Sequence, residues 1–461
     1  EPDLSNLSER EQNLDYVLGA DDGLGYLIDG LREFETRQSS DVFLELYHLY
    51  LSGEIPSPVT MEYLADGVFY HNKEKGISKE VAKKLYGETL LGSVTRMEKY
   101  ASCAFAHFLK FGLLLEERAE YQVSVPDIGN IFHEALEIYS EKLKESEFNW
   151  HTVPEEVRND LSHQAVVEAV KDYGNGILES TKRNAYIIKK VERILLRTVK
   201  TLSEQLKAGE FEPLAYEKSF SHADRFLNLK GRIDRLDVYE DEGKLYVKVI
   251  DYKSGSTSFD LMSLYYGLQL QLGVYLTAGL NLMREAHPNK EILPAGVFYY
   301  NLDDPIVEKS DHVEKDIRKK LAMNGLVNSS GKVLPLLDHA LGMHDGGLSP
   351  SVKSEVIPVE TNKNGELTKR SSVATLAQFE KLCDYIYDLM NQFSLEIMGG
   401  RTIQKPFCNK NKTACDYCSY KAVCGFDTRV DGYEFHRLRQ MSADDVWAKI
   451  MEEEEDADGE D

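Results

Sequence analysis

The sequence predicts an α/β fold, and three observations support this prediction. Helical periodicity dominates up to about position 208. Strand-like segments then follow in the order strand, strand, strand, helix, strand. The chain has 461 residues, 42% of them hydrophobic, which is enough for two or three domains with a sizeable core.

Each predicted element follows from the spacing of its apolar residues. Apolar residues three and four apart predict helices at positions 42–51, 79–91, 96–118, 128–144 and 187–206. Apolar runs predict strands at 214–220, 226–239, 245–252 and 295–301, with a helix at 263–283 before the last strand. Positions 302–361 are less regular and include a loop at 346–350. A turn at 362–365 precedes a helix at about 376–398.

The turn between the second and third strands fixes how they pair. If Asp241-Glu242-Gly243-Lys244 is a hairpin turn, Asp234 lies directly opposite Asp251, and the two carboxylates share one face. Lys253 lies on the same face, because side chains alternate along a strand. The rest of this face is an apolar floor made of Leu236, Val238, Val247 and Val249.

The opposite face of this hairpin has an ordinary cross-strand arrangement. It pairs Asp237 with Lys248 and Tyr239 with Tyr246, so we interpret Asp237 as structural. A plain amphipathic hairpin with its acids at an exposed end is the alternative for the whole stretch. The adjacent carboxylates favour a bound cation instead, because they repel each other without one.

Two acids and a lysine at the end of a sheet suit phosphodiester hydrolysis. A divalent cation such as Mg²⁺, held by Asp234 and Asp251, would polarise a phosphate and lower the pKa of bound water. Lys253 would orient or deprotonate that water and offset charge in the transition state. The backbone carbonyl of Tyr252 is a candidate further ligand, since Mg²⁺ accepts carbonyl oxygens.

Four phrases and a cysteine run resemble the RecB-type branch of the PD-(D/E)xK nucleases. Within that branch they resemble the AddB family, one of the two subunit families that form the bacterial AddAB ATP-dependent helicase-nucleases. The phrases are SVTRMEKY at 93–100 running into Cys103, DIGNIFHEAL at 127–136, the acidic hairpin, and GLQLQLGVY at 267–275. With the run of Cys415, Cys418 and Cys424, their order and spacing carry the resemblance over about positions 93–427.

The resemblance implies a restriction-endonuclease-like α/β nuclease core at about 128–301, with extensive helical surroundings. It also implies that His133 is a further Mg²⁺ ligand. Gln271 and Tyr275 match a Q-x3-Y signature that contacts Lys253 or the DNA backbone, and residues four apart do share one face of a helix. Without the resemblance, His133 would be a satisfied core or surface histidine, and Gln271 and Tyr275 would be helix packing. Gln269 lies off that face.

The cysteines indicate a metal site. Six of them in a long chain without a signal peptide favour a reducing compartment, where closely spaced cysteines bind metal more often than they form disulfides. The resemblance assigns one [4Fe-4S] cluster, acting as a staple, to Cys103, Cys415, Cys418 and Cys424. Four thiolates also suit tetrahedral zinc, and Cys408 is close enough to compete as a ligand. Cys383, in a helical pattern, is expected to be a small core residue.

The formal charge of −24 argues against a free-standing DNA binder, because affinity for DNA comes largely from neutralised phosphates. Part of this charge is an acidic tail at 452–461, which we expect to be disordered. A basic cluster from Lys189 to Lys200 is either a positive helix face or a solvated surface. Most of the electrostatic attraction for DNA should therefore come from a partner or from a missing N-terminal part.

We expect three regions in the chain: a helical segment from a helicase-like part at 1–92, a nuclease domain with its iron-sulfur staple at 93–427, and a C-terminal helix with the acidic tail at 428–461. The first residue is Glu and no G-x4-GK[ST] phosphate loop occurs, so we expect the C-terminal fragment of a longer protein. No apolar run is long enough to span a bilayer and no secretion signal opens the chain, so we expect a cytoplasmic protein without a membrane partner.

The function that the resemblance implies is a Mg²⁺-dependent exodeoxyribonuclease that acts on single-stranded DNA unwound from duplex ends. It would be the 5′-to-3′ nuclease of a heterodimer with an AddA-type helicase-nuclease, in double-strand-break repair by homologous recombination. Two alternatives remain open. One is a stand-alone iron-sulfur DNA nuclease resembling Cas4, which would cut without a motor. The other is a non-catalytic DNA-binding scaffold with a structural metal, which would tolerate Asp251→Ala.

Overall fold

The fold was obtained as a computed structural model, and the chain divides into two compact units. The smaller unit comprises Glu1–Lys75 and Val423–Phe435, and the larger unit comprises Gly76–Ala422 and His436–Asp461. The structure describes residues 8–14, 17, 19–33, 40–57, 59–70, 72, 76–118, 122–171, 173–176, 178, 181–223, 227–309, 311–344 and 347–452. The predicted acidic tail lies outside these residues, apart from Glu452, and so do position 226 of the second predicted strand and position 346 of the predicted loop.

Among its described residues, the smaller unit has short helices around an apolar core. The helices are α1 (Glu9–Leu14), α2 (Ala20–Arg32), α3 (Asp41–Ser52) and α4 (Met61–Val68). α3 confirms the helix predicted at 42–51. The Ser40 hydroxyl accepts a hydrogen bond from the Phe43 amide at its start, and Gly53, with φ of 77°, ends it. The core of this unit consists of Leu27, Leu31, Val42, Phe43, Leu46 and Tyr50.

The larger unit is built on one mixed sheet with helices on both faces. The strands of that sheet are β1 (Leu90–Gly92), β2 (Glu212–Ala223), β3 (Leu227–Asp241), β4 (Lys244–Lys253), β5 (Glu291–Asn301), β6 (Asn324–Asn328) and β9 (Val373–Ala374). Short strands elsewhere are β7 (Met343–His344), β8 (Gly347–Leu348), β10 (Phe407–Asn409), β11 (Lys412–Thr413) and β12 (His436–Arg437).

The remaining helices follow in chain order. They are α5 (Lys79–Tyr86), α6 (Val94–Ser102), α7 (Ala104–His107), α8 (Val125–Glu145), α9 (Glu155–Val170), α10 (Lys182–Lys207), α11 (Leu261–Tyr265), α12 (Gln271–Ala286), α13 (Val313–Lys320), α14 (Val333–Leu337), α15 (Leu376–Met398), α16 (Lys421–Cys424) and α17 (Ala443–Glu452). A π-helical turn at Phe108–Gly112 continues α7. None of the described helices is long and apolar enough to cross a bilayer.

The strand order leaves a gap beside the middle of β3. The order is β1-β3-β4-β5-β6-β9, and β2 pairs with β3 along almost its whole length. β1 pairs with β3 at 227–229 and β4 pairs with it at 235–241, both on the edge that β2 leaves open. Among the described residues, no strand pairs with positions 230–234 of β3 on that edge.

The β3–β4 hairpin confirms the predicted register. Asp241 pairs with Lys244, and the last regular pair is Arg235 with Ile250. Glu242 and Gly243 have φ of 45° and 81°, as a two-residue type I′ turn requires. The next positions along this register are 234 and 251, so the two predicted acids stand where the ladder ends.

Each face of the sheet packs against its own helices. α5, α6, α12, α15 and α17 cover one face, whose core includes the predicted floor residues Leu236, Val247 and Val249. α8, α9 and α10 cover the other face, against Ile250 and Phe298. Burial on both faces explains why the sequences of β4 and β5 are almost continuously apolar.

Two helices predicted in the first part of the larger unit are wrong in their extent. The helix predicted at 79–91 ends at Tyr86, because Gly87 takes φ of 87°, and 90–92 form β1 instead. The single helix predicted at 96–118 is interrupted at Cys103, whose backbone is extended with φ of −166° and ψ of 113°. Its last turn is the π-helical turn, which ends at Gly112. Apolar spacing continues across Cys103, so periodicity alone cannot reveal the break.

The helix predicted at 263–283 is also wrong as a single helix, since it consists of α11 and α12. Gly267, with φ of 75°, separates them, and a Cβ atom there would lie 2.8 Å from the Phe393 ring. The helices predicted at 128–144, 187–206 and 376–398 are confirmed by α8, α10 and α15, and the four predicted strands by β2 to β5. α9, β1, β6 and β9 are elements that the sequence analysis missed.

Candidate active site

The carboxyl end of β4 carries an acid and a lysine that contact each other. Asp251 is buried, and its Oδ2 lies 2.6 Å from Lys253 Nζ. The Lys253 ammonium also lies 5.3 Å from the centre of the Tyr299 ring. A buried carboxylate is costly unless a cation pairs with it, and Lys253 provides that cation.

Gln271 connects this pair to α12. It is the first residue of that helix, and its Oε1 accepts a 2.5 Å hydrogen bond from Lys253 Nζ. Its Nε2 donates to Asp251 Oδ1 at 2.7 Å and to the Tyr275 hydroxyl at 3.0 Å. The predicted pair of Gln271 and Tyr275 therefore lies on one face of α12 and faces the acid and the lysine of β4.

A second group of ligand atoms lies beside this one. His133 Nδ1 is 3.3 Å from Glu217 Oε1 and 3.4 Å from Asp234 Oδ2. One ligand atom from each of these three side chains lies within 4.8 Å of the others. Asp234 Oδ2 also accepts a 2.7 Å hydrogen bond from the Tyr252 amide, which fixes its orientation. Imidazole nitrogen and carboxylate oxygen are both ligands of divalent cations.

β2 and β3 are irregular where these ligands stand. Ile233 and Leu236 of β3 pack in the same core although they are three residues apart, and Ala215 and Phe220 of β2 do so although they are five apart. Residues on one face of a regular strand are an even number apart. The alternation of both strands therefore changes phase within these short stretches.

Glu217 lies at this irregularity. Its φ of 44° is in the left-handed region, which is rare for a residue other than glycine. The pairing of Tyr216 with Arg235 and of Lys218 with Ile233 places Glu217 opposite Asp234. Both carboxylates therefore reach His133, which α8 presents from one side of the sheet.

The site is rich in acids, and burial raises their proton affinity. Burial and the neighbouring Asp251 carboxylate raise the pKa of Asp234 to about 8. Burial also raises the pKa of Asp251, although Lys253 opposes the shift. Burial lowers the pKa of His133, but its hydrogen bond with Glu217 and the nearby Asp234 outweigh burial and leave that pKa raised. An added cation would relieve this excess of negative charge.

Glu98 of α6 is a further acid at this site. Its Oε1 accepts hydrogen bonds from the backbone amides of Leu270 at 2.8 Å and Gln271 at 3.2 Å. Burial raises its pKa to about 7, and Lys253 and Asp251 are close enough to influence it. Glu98 therefore lies at the start of α12, next to the β4 acid and lysine.

The predicted site residues fall into one connected region, with two additions. The structure brings together His133, Asp234, Asp251, Lys253, Gln271 and Tyr275. Tyr252 contributes its amide to Asp234, and the use of its carbonyl as a ligand stays a prediction. Gln269 binds the Asp260 amide and the Ser258 carbonyl instead, as its position off the face predicts. The sequence analysis missed Glu217 and Glu98.

Three of the predicted cluster cysteines belong to the larger unit. Cys103 is buried before the first turn of α7, and the Cys418 amide donates to the Cys415 carbonyl at 3.3 Å, which makes a tight turn. Shortly after this turn, the Tyr420 hydroxyl donates to the Leu115 carbonyl at 2.9 Å. The turn is thereby tied to the chain that follows α7.

The remaining cysteines have different surroundings. Cys424 belongs to the smaller unit, so the set of four stays a prediction. Cys408 is buried in β10, where its Sγ lies 3.4 Å from the Lys410 carbonyl oxygen and 3.9 Å from Arg437 Nη1. Cys383 of α15 packs half-buried against the core, as predicted, and burial raises the pKa of its thiol.

The basic cluster of α10 is largely neutralised by ion pairs. Arg193 Nε lies 2.7 Å from Asp304 Oδ2. Arg197 Nη1 and Lys200 Nζ each lie 3.1 Å from Glu314 Oε2. These contacts favour the solvated-surface alternative over a positive face open to DNA.

Comparisons with known proteins agree with this geometry. Three similar proteins are each named as the B-type component of an ATP-dependent helicase/deoxyribonuclease. The protein from Lachnoclostridium phytofermentans is 60% identical, over 97% of this chain and 39% of its own length. The proteins from Alkaliphilus metalliredigens and Clostridium botulinum are 33% and 34% identical, over 93% and 98% of this chain and 38% and 40% of their own lengths. The chain thus spans about two fifths of the length of these curated relatives.

The sequence profile of the PD-(D/E)XK nuclease superfamily matches residues 92–425. This match begins at β1 and ends after the cysteine run, so it includes the whole sheet and both groups of site residues. It covers well over half of the chain. The chain therefore belongs to the PD-(D/E)XK nuclease superfamily.

Proposed function

We propose that this chain hydrolyses phosphodiester bonds of DNA with the help of a divalent cation. The observation that carries the proposal is the contact of Asp251, Lys253 and Gln271 beside a buried group of metal-ligand atoms. Membership of a nuclease superfamily and the word deoxyribonuclease in the names of its relatives support the same activity.

The cation would be held by His133, Glu217 and Asp234, together with Asp251 and the Tyr252 carbonyl. The side chains fit such an ion, because three ligand atoms converge within 4.8 Å and the pKa of Asp234 is raised to about 8 by burial and by Asp251. Acids buried this close together repel one another unless a cation or protons neutralise them. Bound Mg²⁺ would polarise the phosphate and lower the pKa of a water molecule.

Lys253 would position the phosphate or the attacking water. An ammonium has three N–H bonds, and two of those on Lys253 face Asp251 and Gln271. The third is available for a phosphate oxygen or a water molecule. Held in this way, Lys253 offsets the negative charge that develops on the phosphate during hydrolysis. Tyr275 would hold the Gln271 amide in the orientation that this arrangement needs.

We infer that the substrate is single-stranded DNA, cut as an exonuclease in the 5′-to-3′ direction after an AddA-type helicase-nuclease has unwound a duplex end. The process would be double-strand-break repair by homologous recombination. The names of the relatives, components of a helicase/deoxyribonuclease, support a motor partner. The net charge of −24 and the ion-paired α10 cluster also favour a partner that provides the electrostatic attraction for DNA.

A cleavage assay tests this proposal. The purified chain is incubated with Mg²⁺ and single strands labelled at the 5′ or the 3′ end, and we expect short products from the wild type and none from D251A. E291Q is the matched control, because Glu291 pairs with Lys244 at the opposite end of β4. Wild-type cleavage by D251A would overturn the active site. Full activity on duplex DNA without any motor would favour the stand-alone nuclease.

We also propose that one [4Fe-4S] cluster binds Cys103, Cys415, Cys418 and Cys424. The hydrogen bond from Tyr420 to the Leu115 carbonyl supports this, because it brings the cysteine run to the chain that follows Cys103. Iron and zinc analysis of protein purified without air tests it, and we expect iron and a brown colour. C103S should lose both, whereas C383S and C408S should keep them. Zinc without colour would identify the zinc alternative.

A further inference from the structure

α12 begins without a capping side chain of its own. Its N-cap residue is Leu270, whose side chain offers no acceptor to the amides of the first turn. Glu98 provides that acceptor from 172 positions upstream, and its Oε1 receives the Leu270 amide at 2.8 Å and the Gln271 amide at 3.2 Å. A carboxylate at this end of a helix also interacts favourably with the helix dipole.

The residue fixed by this cap is the one that orients the site. Gln271 contacts Lys253 through Oε1 and both Asp251 and Tyr275 through Nε2. Since the capped amide and these side-chain atoms belong to the same residue, a displacement of the first turn would move all three contacts. A misplacement of about 1 Å can cost on the order of a hundredfold in rate.

Contacts on the same helix hold Glu98 in place. Tyr100, two residues further along α6, donates to Glu396 Oε2 at 2.7 Å and lies 5.4 Å from the Phe393 ring, and both of these residues belong to α15. Ala101 lies against the glycine that separates α11 from α12. α6 is therefore a fixed support from which a carboxylate can define where α12 begins.

We propose that Glu98 is a positioning residue of the nuclease: it fixes the first turn of α12 and thereby holds Gln271 against Lys253 and Asp251. The inference rests on the function proposed above. It assigns Glu98 no contact with DNA or metal, and its whole effect on catalysis passes through Gln271.

A double-mutant cycle tests this dependence. E98A should lower kcat by about 10- to 100-fold with little change in KM, because the reacting groups lose their alignment while the DNA surface stays intact. In a Q271A background, the same E98A change should lower kcat by no more than about threefold. E98Q keeps an oxygen acceptor and should recover part of the loss. Reductions that multiply in the double mutant would overturn the proposal.

The matched control is E396Q. Glu396 accepts a hydrogen bond from the same helix, through Tyr100, so its substitution should lower the melting temperature and leave kcat unchanged. If E98A does not fold, the cycle is run with E98Q, whose loss should likewise disappear in the Q271A background. An E396Q effect on kcat as large as that of E98A would show that general loosening of α6 is the cause, and would refute the proposal.

Hydrogen exchange provides a readout that does not depend on cleavage. The amides of the first turn of α12 should exchange at least about tenfold faster in E98A than in the wild-type chain, and E396Q should leave them protected. A wild-type chain that cuts no DNA but shows this change would refute the nuclease function and keep the cap. A chain that cuts DNA and shows unchanged exchange in E98A would refute the role of Glu98 alone.

Discussion

The two faces of the β3–β4 hairpin both bury acids, but they balance the charge differently. On the face covered by α8, Asp237 Oδ1 is 2.6 Å from Arg235 Nε, and its Oδ2 is 2.8 Å from Lys248 Nζ. Burial alone would raise the pKa of Asp237, but the two cations outweigh it and hold that pKa below its usual value. On the face covered by α12, burial and Asp251 raise the pKa of Asp234 to about 8.

This difference separates a structural acid from functional ones. Asp237 has more positive charge around it than it needs, and its three-residue cluster is complete without a ligand. Asp234, Asp251 and Glu217 outnumber the cations beside them, so that group is completed only when a divalent cation binds. Removing an acid should therefore cost stability on the first face and activity on the second.

The largest effect is expected for the acids of the α12 face. D234A or D251A should lower the cleavage rate by at least about 10⁴-fold, because each removes a group needed to hold the cation. The melting temperature without Mg²⁺ should stay equal or rise, since the substitution also removes repulsion between carboxylates. Cleavage rates and melting curves with and without Mg²⁺ measure both effects. A variant that melts much earlier than the wild type would show that these acids are structural too.

The next largest effect is expected for Lys253, the cation of the same face. K253A should lower the rate by about 10²- to 10⁴-fold, because the lysine acts on water and phosphate. Its affinity for Mg²⁺ should persist, since an ammonium is not a metal ligand. Calorimetry with Mg²⁺ decides this, with K244A at the other end of β4 as the control. Affinity lost in step with activity would make Lys253 a support for Asp251 rather than a catalytic group.

The opposite outcome is expected for Asp237. D237A should lower the free energy of unfolding by about 3–5 kcal/mol, because it leaves Arg235 and Lys248 buried without a partner. The folded fraction, assayed well below its melting temperature, should still cut DNA. Denaturant unfolding and a cleavage assay on the same sample measure the two quantities. Unfolding like that of the wild type would mean that the buried triad contributes little, and the comparison between the faces would fail.

The sequence alone could predict this hairpin because its turn is short. A two-residue turn with glycine at its second position leaves one way to count partners, so Asp237 with Lys248 and Asp234 with Asp251 follow directly. Helix periodicity likewise placed Gln271 and Tyr275 on one face. Local rules were sufficient wherever one turn or one helix determined the geometry.

The sequence could not predict features that depend on distant parts of the chain. Glu98 caps a helix that begins 172 positions later, and no local pattern connects the two. The breaks at Cys103 and Gly267 interrupt apolar spacing that continues on both sides, so periodicity predicts single helices there. Glu217 stands opposite Asp234 only because of a register that no two-residue turn fixes, and its strand changes phase at that point.

Glu217 gives the smallest expected effect and the sharpest test of how the α12 face binds metal. Its carboxylate lies 3.3 Å from His133 Nδ1, and its second oxygen is 3.2 Å from Arg232 Nε. E217Q keeps the size of the side chain but removes one negative charge, so Mg²⁺ affinity should fall by about 10- to 100-fold. Cleavage should fall at limiting Mg²⁺ and recover at saturating Mg²⁺, because Lys253 is unchanged.

The control for Glu217 is E134Q, since Glu134 is exposed and stands next to His133 on α8. Calorimetry and a Mg²⁺ titration of the cleavage rate should show wild-type behaviour for E134Q and a shift to higher Mg²⁺ for E217Q. If E217Q binds Mg²⁺ as tightly as the wild type, the left-handed backbone at Glu217 serves the folding of β2 and not the metal. The acid excess of the α12 face would then consist of Asp234 and Asp251 alone, with His133 as the only helix-borne ligand.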